Sequence, residues 1–220
     1  MKNIIAFSGL DGAGKSTQIN LLKNKLIDNG NKVLVFWSRG GYTPGFQKLK
    51  DILRFILKSK ISKPGKTKSR EQALKQGIIS KMWFSIALID LIFFYSIYLR
   101  IKYLLGFHII LDRFIIDTEI DFKLNFPNVN YRNYLLWKIL KKTSIKPHVN
   151  LILLISVEES KKRSLTKNEP FPDSVKVLND RLTHYKTSLK VKNSQNFYKL
   201  VWCENSISYI EKEITNILKN

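Results

Sequence analysis

Cysteine is almost absent from this chain, which has one cysteine, Cys203, among 220 residues. A single cysteine cannot form an internal disulfide. The chain also lacks a charged and then apolar signal segment ahead of its first predicted strand. Both absences favour a reducing compartment, and we expect the protein to be cytoplasmic.

Acidic residues are scarce, with 17 Asp and Glu against 38 Lys and Arg, a formal net charge of +21. Such a charge suits a nucleic-acid binder, an anionic membrane surface or a polyphosphate substrate. Residues 46–81 hold eleven basic residues and only two acidic ones, Asp51 and Glu71. A lysine-rich solvated face explains this segment without a ligand. Because no RNA- or DNA-binding signature accompanies the charge, we do not expect nucleic acid as a partner; peripheral contact with an anionic membrane stays open.

The chain has no internal repeat and no stretch rich in Pro, Gly or Ser that would mark a domain boundary. Its length fits one domain of ordinary size with room for an insertion. We therefore expect a single domain over residues 1–220, with a basic insertion-like segment at about 46–81 and a lid at about 160–172.

Short apolar runs alternate with longer helical stretches, which predicts βαβ units. Each run is nearly continuous in Ile, Val, Leu and Phe, as expected when helices cover both faces of a sheet. The predicted fold class is α/β, with a five-stranded parallel sheet between two layers of helices. The predicted strands are Asn3–Phe7, Lys32–Trp37, Phe107–Leu111, Asn150–Ser156 and Tyr198–Cys203.

Residues 9–16 read GLDGAGKS, a full match to the phosphate-loop pattern G-x-x-x-x-G-K-[ST]. The motif follows a predicted strand and opens a segment with helical spacing, which is the strand–loop–helix context that it requires. Its backbone N–H groups and the helix N-terminus would hold a polyphosphate. We expect Lys15 to reach the β- and γ-phosphates of ATP and the Ser16 hydroxyl to bind Mg²⁺. The predicted nucleotide-binding residues are Gly9, Asp11, Gly12, Ala13, Gly14, Lys15, Ser16 and Thr17.

A second anchor is the apolar strand that ends in Asp112 and Arg113. Ligands bind beyond the carboxyl ends of parallel strands, where this pair and the phosphate loop would both lie. Asp112 is our candidate carboxylate for Mg²⁺, acting through water, and Arg113 is our candidate clamp on phosphate oxygens. The predicted metal-binding residues are thus Ser16 and Asp112.

These motifs resemble those of thymidylate kinases and related nucleoside monophosphate kinases. The resemblance covers essentially the whole chain in order and implies a P-loop fold. It also implies a kinase that uses ATP and Mg²⁺ to convert a nucleoside monophosphate to its diphosphate, with dTMP as the leading candidate substrate. The segments that carry it are FSGLDGAGKSTQ at 7–18, SRGGYTPG at 38–45, LDRF at 111–114 and KPHVNLILLISVEESKKR at 146–163.

The resemblance also implies individual roles. Asp11 would contact the acceptor near its sugar or reacting phosphate, Arg39 would bind the acceptor phosphate, and Arg113 would lie between the two phosphate sites. The phosphate loop offers no arginine, so a lid cation is expected, from Lys161, Lys162, Arg163 or Lys167, with Arg163 and Lys167 preferred. The catalytic residues predicted in this way are Lys15, Asp11, Arg113, Arg163 and Lys167.

The acceptor pocket departs from the family pattern. Thymidylate kinases carry a base-binding arginine on the helix before the Asp-Arg strand, and this chain has Asp90-Leu91 there. The segment FIIDTEIDF at 114–122 also lacks the family's Ser and Ala-Tyr-Gln pattern and is similar to a divergent branch, in which Asp90, Asp117 and Asp121 would line the pocket. The residues predicted to bind the acceptor are Asp11, Arg39, Asp90, Arg113 and Asp117.

Residues 83–105 contain only three charged residues, Asp90, Arg100 and Lys102. A transmembrane helix is disfavoured because Asp90 would lie in mid-span, at a cost of several kcal/mol. We expect a helix buried on most of its faces. A sheet covers a stripe a little over about 100° wide, so the remaining apolar side chains need a second surface. Thymidylate kinases pair through helices in this region, which implies a homodimer; a membrane surface is the alternative.

Two other functions remain open. One is a kinase of another small phosphorylated or hydroxylated metabolite, such as a nucleoside or a sugar phosphate, in which Asp11 or Asp117 would act as a base toward a hydroxyl. The other is a non-catalytic nucleotide-binding protein that uses the basic segment 46–81. Turnover distinguishes both kinases from the binding protein.

Overall fold

The structure is a computed structural model that describes residues 3–38, 77–125, 129–166, 173–190 and 197–219. Five strands form one parallel sheet in the order β2-β3-β1-β4-β5. The predicted α/β class and all five predicted strands are confirmed, and no strand end is shifted by more than two residues. The strands are β1 (Ile4–Gly9), β2 (Val33–Trp37), β3 (His108–Asp112), β4 (Val149–Leu154) and β5 (Tyr198–Trp202).

Helices lie in the described parts of the connections between these strands. A π-helical segment, Phe93–Tyr98, joins two of them into one continuous helical stretch, and a short 3₁₀ turn lies at Tyr131–Asn133. The α-helices of the described residues are α1 (Lys15–Asp28), α2 (Gly77–Ile92), α3 (Leu99–Leu104), α4 (Ile115–Asn125), α5 (Leu135–Thr143), α6 (Val157–Thr166), α7 (Val175–Lys190) and α8 (Ile207–Lys219).

The contacts divide the chain into two compact units. The first comprises Met1–Trp37, Lys102–Asp117 and Lys146–Asn220, and it contains the whole sheet. The second comprises Ser38–Ile101 and Thr118–Ile145. The expected single-domain organisation stays a prediction, and the basic segment 46–81 lies outside the described residues except for its last five.

The core of the first unit is the sheet, whose continuous apolar strands are buried as expected for a sheet covered by helices. α1 packs against β1, β2 and β3, and α8 packs against β5. Register fixes where the strands end: Phe7 of β1 and Trp37 of β2 both lie opposite Asp112 of β3. The phosphate loop therefore leaves the sheet next to the end of β3.

The core of the second unit is aromatic. The ring of Phe84 on α2 lies 4.7 Å from that of Phe122 on α4, and the Phe122 ring lies 5.8 Å from that of Trp137 on α5. Edge-to-face packing of this kind adds about 0.5–1.5 kcal/mol per pair to the burial of apolar area.

One helical stretch of the described chain, Phe84–Leu104, is long and apolar enough to cross a membrane by length and composition. The sequence predicts that this helix is buried on most of its faces, but in the structure only one face is wholly buried. Leu88, Leu91, Tyr95 and Leu99 are wholly buried. A second row at four-residue spacing is between 49% and 57% exposed, and we call it the apolar stripe: Ile89, Phe93, Ile97 and Ile101.

Candidate active site

The phosphate loop has the strand–loop–helix geometry that its sequence predicts. It leaves β1 at Gly9 and enters α1 at Lys15, after Gly12 and Gly14 with φ of 78° and 81°. A Cβ on Gly9 would lie 1.9 Å from the carbonyl oxygen of Leu153, so only glycine fits there. The first N–H groups of α1 have no intrahelical acceptor, which makes this end of the helix suited to an anion.

Lys15 lies over its own loop. Its Nζ donates to the carbonyl oxygens of Gly9, at 3.0 Å, and Leu10, at 2.7 Å. Burial first and the charge of Arg113 second lower the pKa of Lys15 to about 8, while the neighbouring carboxylates oppose the shift. Phosphate oxygens carry more charge than carbonyls, so a bound polyphosphate would be the stronger partner for this ammonium group.

Asp112 ends β3 beside the loop, as predicted. Burial raises its pKa, while the charges of Lys15 and Arg113 act in the opposite direction. Within the described residues, no group of three or more His, Cys, Asp or Glu is arranged to hold a metal ion. Mg²⁺ in phosphotransfer sites needs only one or two protein ligands besides phosphate oxygens and water, and Asp112 with the exposed Ser16 fits that donor set.

Arg113 has a positive φ of 75°. Among the described residues, no other residue apart from glycines has a positive φ. Such a left-handed residue costs about 1–3 kcal/mol and persists where neighbouring contacts hold it. Its N–H donates to the carbonyl of Phe7 at 2.8 Å. Its guanidinium is ion-paired with Asp11 and lies 3.4 Å from Asp117. The structure thus brings together Asp11, Arg113 and Asp117, three of the residues predicted from the sequence.

Asp117 is the buried member of this cluster, and its side chain is only 1% exposed. Its Oδ1 accepts a hydrogen bond from the hydroxyl of Tyr185 on α7 at 2.6 Å, and its Oδ2 accepts from the N–H of Phe114 at 3.0 Å. Sequence reasoning missed Tyr185, since a tyrosine at an apolar position of a predicted helix carries no signal of its own.

The described part of the predicted lid segment, at the end of α6, contacts the phosphate loop. Arg163 on α6 donates from Nη1 to the carbonyl of Gly12 at 3.2 Å and from Nε to Glu159 at 2.7 Å. Ser160 donates to the carbonyl of Asp11 at 2.6 Å. The structure therefore places Arg163 at the loop, and its role as the lid cation stays a prediction. Lys161 and Lys162 are exposed, and Lys167 lies outside the described residues.

The remaining predicted acceptor residues lie elsewhere in the chain. Arg39 lies outside the described residues. Asp90, on α2, is half-buried, and Asp121, on α4, is 1% exposed; both belong to the second compact unit. Their role toward an acceptor stays a prediction.

Comparison with known proteins gives short but specific sequence matches. No family model matches the chain. A thymidylate kinase from Thermosipho melanesiensis is 49% identical over 49 residues, 22% of this chain and 24% of that protein. Those from Thermosipho africanus and Chlorobaculum tepidum are 51% identical over 49 residues and 44% over 50. Each match spans about a quarter of the relative's length.

The fold has a counterpart among solved structures. A deoxyadenosine kinase from M. mycoides, determined with bound dATP, superposes with a TM-score of 0.58 at 19% identity, covering 100% of both chains. At that identity the likeness concerns the fold alone. The chain therefore shares the α/β fold of that structure, and the resemblance to thymidylate kinases is confirmed over about a fifth of its sequence.

Proposed function

We propose that the chain transfers the γ-phosphoryl group of ATP to a nucleoside monophosphate. The leading candidate for this acceptor is dTMP, which would give dTDP and ADP. The observation that carries the proposal is the convergence of Lys15, Arg113 and Asp112 on a phosphate loop at the carboxyl end of β1 and β3. The similarity to thymidylate kinases supports the choice of acceptor.

The chemistry follows from charge. Phosphoryl transfer needs positioning and charge neutralisation more than covalent catalysis. Lys15 would exchange its two carbonyl partners for phosphate oxygens, and Arg113 and the lid residue Arg163 would add positive charge around the transferred group. Mg²⁺ held by Ser16 and Asp112 would neutralise the β- and γ-phosphates when bound. A phosphate acceptor is already an anion, so no general base is assigned.

One observation favours a second acceptor class. Three carboxylates, Asp11, Asp112 and Asp117, act electrostatically on Lys15, together with the cation Arg113. These carboxylates would repel a dianionic acceptor phosphate, whereas they would not repel a neutral hydroxyl. In a nucleoside kinase, Asp11, whose side chain is 20% exposed, would take the hydroxyl proton.

The test is ADP release from ATP and Mg²⁺ with matched panels of nucleoside monophosphates, nucleosides and sugar phosphates. We expect dTMP to give the highest kcat/KM. Lys15→Met, which keeps most of the apolar stem, should lower that rate by about a thousandfold, since it removes a cation from the transferred phosphate. Preference for a nucleoside would establish the second candidate, and no acceptor-dependent ADP release would contradict both.

We further propose that two copies pair through helix 83–105, whose apolar stripe would be the contact. A two-fold arrangement places the same patch of each copy against the other and closes the assembly. Peripheral contact with an anionic membrane is the alternative, and a cytoplasmic location stays a prediction.

A further inference from the structure

The carboxylate of Asp117 has more donors than a structural role at a helix start requires. It accepts from Tyr185 Oη at 2.6 Å, from the N–H of Phe114 at 3.0 Å, and from the N–H of Gly9 and Nη1 of Arg113, both at 3.4 Å. Removing a carboxylate from water is favourable only when charge-assisted bonds replace its hydration. Here they do, and two of the four donors belong to the candidate active site.

Capping accounts for one of these bonds. Asp117 is the third residue of α4, and its side chain reaches back to the N–H of Phe114, immediately before the helix. This is half of a capping box, in which an acidic side chain satisfies an N–H that the helix leaves without a partner. A cap alone explains neither the contact with the phosphate loop nor that with Arg113.

Tyr185 explains how the carboxylate is held. The side chain is wholly buried on α7, and its hydroxyl lies 2.6 Å from Asp117 and 3.4 Å from the carbonyl oxygen of Gly9. Burial raises the pKa of Tyr185 well above its usual value, and the charge of Asp117 raises it further, so the hydroxyl keeps its proton and acts as a donor. α7 in turn packs against α6, which carries the lid residue Arg163.

The guanidinium of Arg113 lies between two carboxylates that differ in their exposure to solvent. Asp11 is partly exposed, whereas Asp117 is buried. A phosphate could displace the Asp11 partner from the solvent side, but it could not displace Asp117 without opening the core. Asp117 is therefore the fixed support of the guanidinium.

We propose that Asp117 and Tyr185 are a pair of positioning residues, which hold the Arg113 guanidinium and the Gly9 peptide in place for phosphoryl transfer. The inference rests on the function proposed above. It assigns Asp117 a place behind Arg113, instead of the contact with the acceptor that the sequence suggested.

The test compares Tyr185→Phe and Asp117→Asn with the wild type. Tyr185→Phe removes one hydroxyl and keeps the ring, so the fold should survive. We expect kcat to fall about tenfold or more while KM for ATP changes less than about twofold, because the loss is one of alignment. Asp117→Asn should lower kcat further. The matched control is Tyr131→Phe, since Tyr131 is also buried and its hydroxyl donates to Glu119 at 3.4 Å.

Amide hydrogen exchange provides a readout that needs no turnover. In Tyr185→Phe, exchange should become faster in peptides covering residues 7–18 and 112–117 and stay unchanged in peptides covering 131–143. A uniform increase across the chain would indicate loss of global stability and overturn the positioning role. So would a kcat within twofold of the wild type together with unchanged exchange at 7–18. If the wild type shows no turnover, the proposed function fails, and the exchange pattern alone decides whether the pair holds the loop.

Discussion

At the scale of single residues, burial of Lys15 disfavours the charged form of its side chain. Its pKa is lowered to about 8 by burial first and by Arg113 second. In the unfolded chain a lysine titrates near about 10.4, so between these values the unfolded state binds more protons than the folded one. The free energy of unfolding of the nucleotide-free protein should therefore rise with pH through this window.

Nucleotide binding should reverse this shift, because phosphate oxygens favour the ammonium form. We expect ATP binding to take up about half a proton at pH 8 and more at pH 9, with affinity falling as pH rises above 8. Calorimetry in buffers with different ionisation enthalpies measures the uptake directly. Lys15→Met should show none of it. Binding at pH 8.5 without proton uptake in the wild type would contradict a lowered Lys15 pKa.

Cys203 is the opposite case, a titratable group held in its neutral form. It is wholly buried, its thiol donates to the carbonyl of Val201 at 3.6 Å, and burial raises its pKa to about 12. Thiolate is the reactive species, so the native protein should not react with a disulfide reagent at pH 8. One equivalent should react after unfolding in guanidinium. Rapid labelling of the native protein would show that the segment after β5 opens.

At the scale of secondary-structure elements, the apolar stripe has a testable consequence. Its four side chains, Ile89, Phe93, Ile97 and Ile101, are about half exposed, and large exposed apolar patches mark interaction sites. The double substitution Phe93→Glu with Ile97→Glu should shift a dimer to a monomer in sedimentation velocity at micromolar concentration.

The matched control for that substitution is Ile27→Glu, an equally exposed apolar side chain on α1 outside the stripe. It should leave the sedimentation coefficient unchanged. A wild-type protein that sediments as a monomer without detergent would refute the dimer. Co-flotation of that monomer with anionic vesicles would then support the membrane alternative.

The elements also show how far sequence reasoning reaches. Strands such as Val149–Leu154 and the phosphate loop were predictable because each has a local signature: a continuous apolar run, or glycines and a lysine at fixed spacing. The bond between Asp117 and Tyr185 joins residues 68 positions apart. It depends on where the fold places α7 beside Gly9 and Asp117, and no local pattern specifies that. For the same reason the sequence predicts burial of the 83–105 helix on most of its faces, and it does not reveal that the face carrying the apolar stripe is half exposed.

At the scale of the whole molecule, the order of the strands decides which carboxyl ends lie side by side. β1 lies at the centre, between β3 and β4, and its two partners are separated from it by long connections. The carboxyl ends of β1 and β3 are then adjacent, which is why Asp112 and Arg113 meet the phosphate loop. The sequence predicts a parallel sheet with a site beyond the carboxyl ends of its strands, but it does not predict this strand order.

The central position of β1 has a consequence for the chain as it leaves the ribosome. β1, at residues 4–9, is made before both of its partners, β3 at 108–112 and β4 at 149–154. At about 5–20 residues per second, synthesis leaves this apolar strand without its first partner for about 5–20 s and without its second for about 7–30 s. An arrested chain that ends before β4 would leave one edge of β1 open, and a nascent chain of that length should be a client of chaperones that bind extended apolar segments.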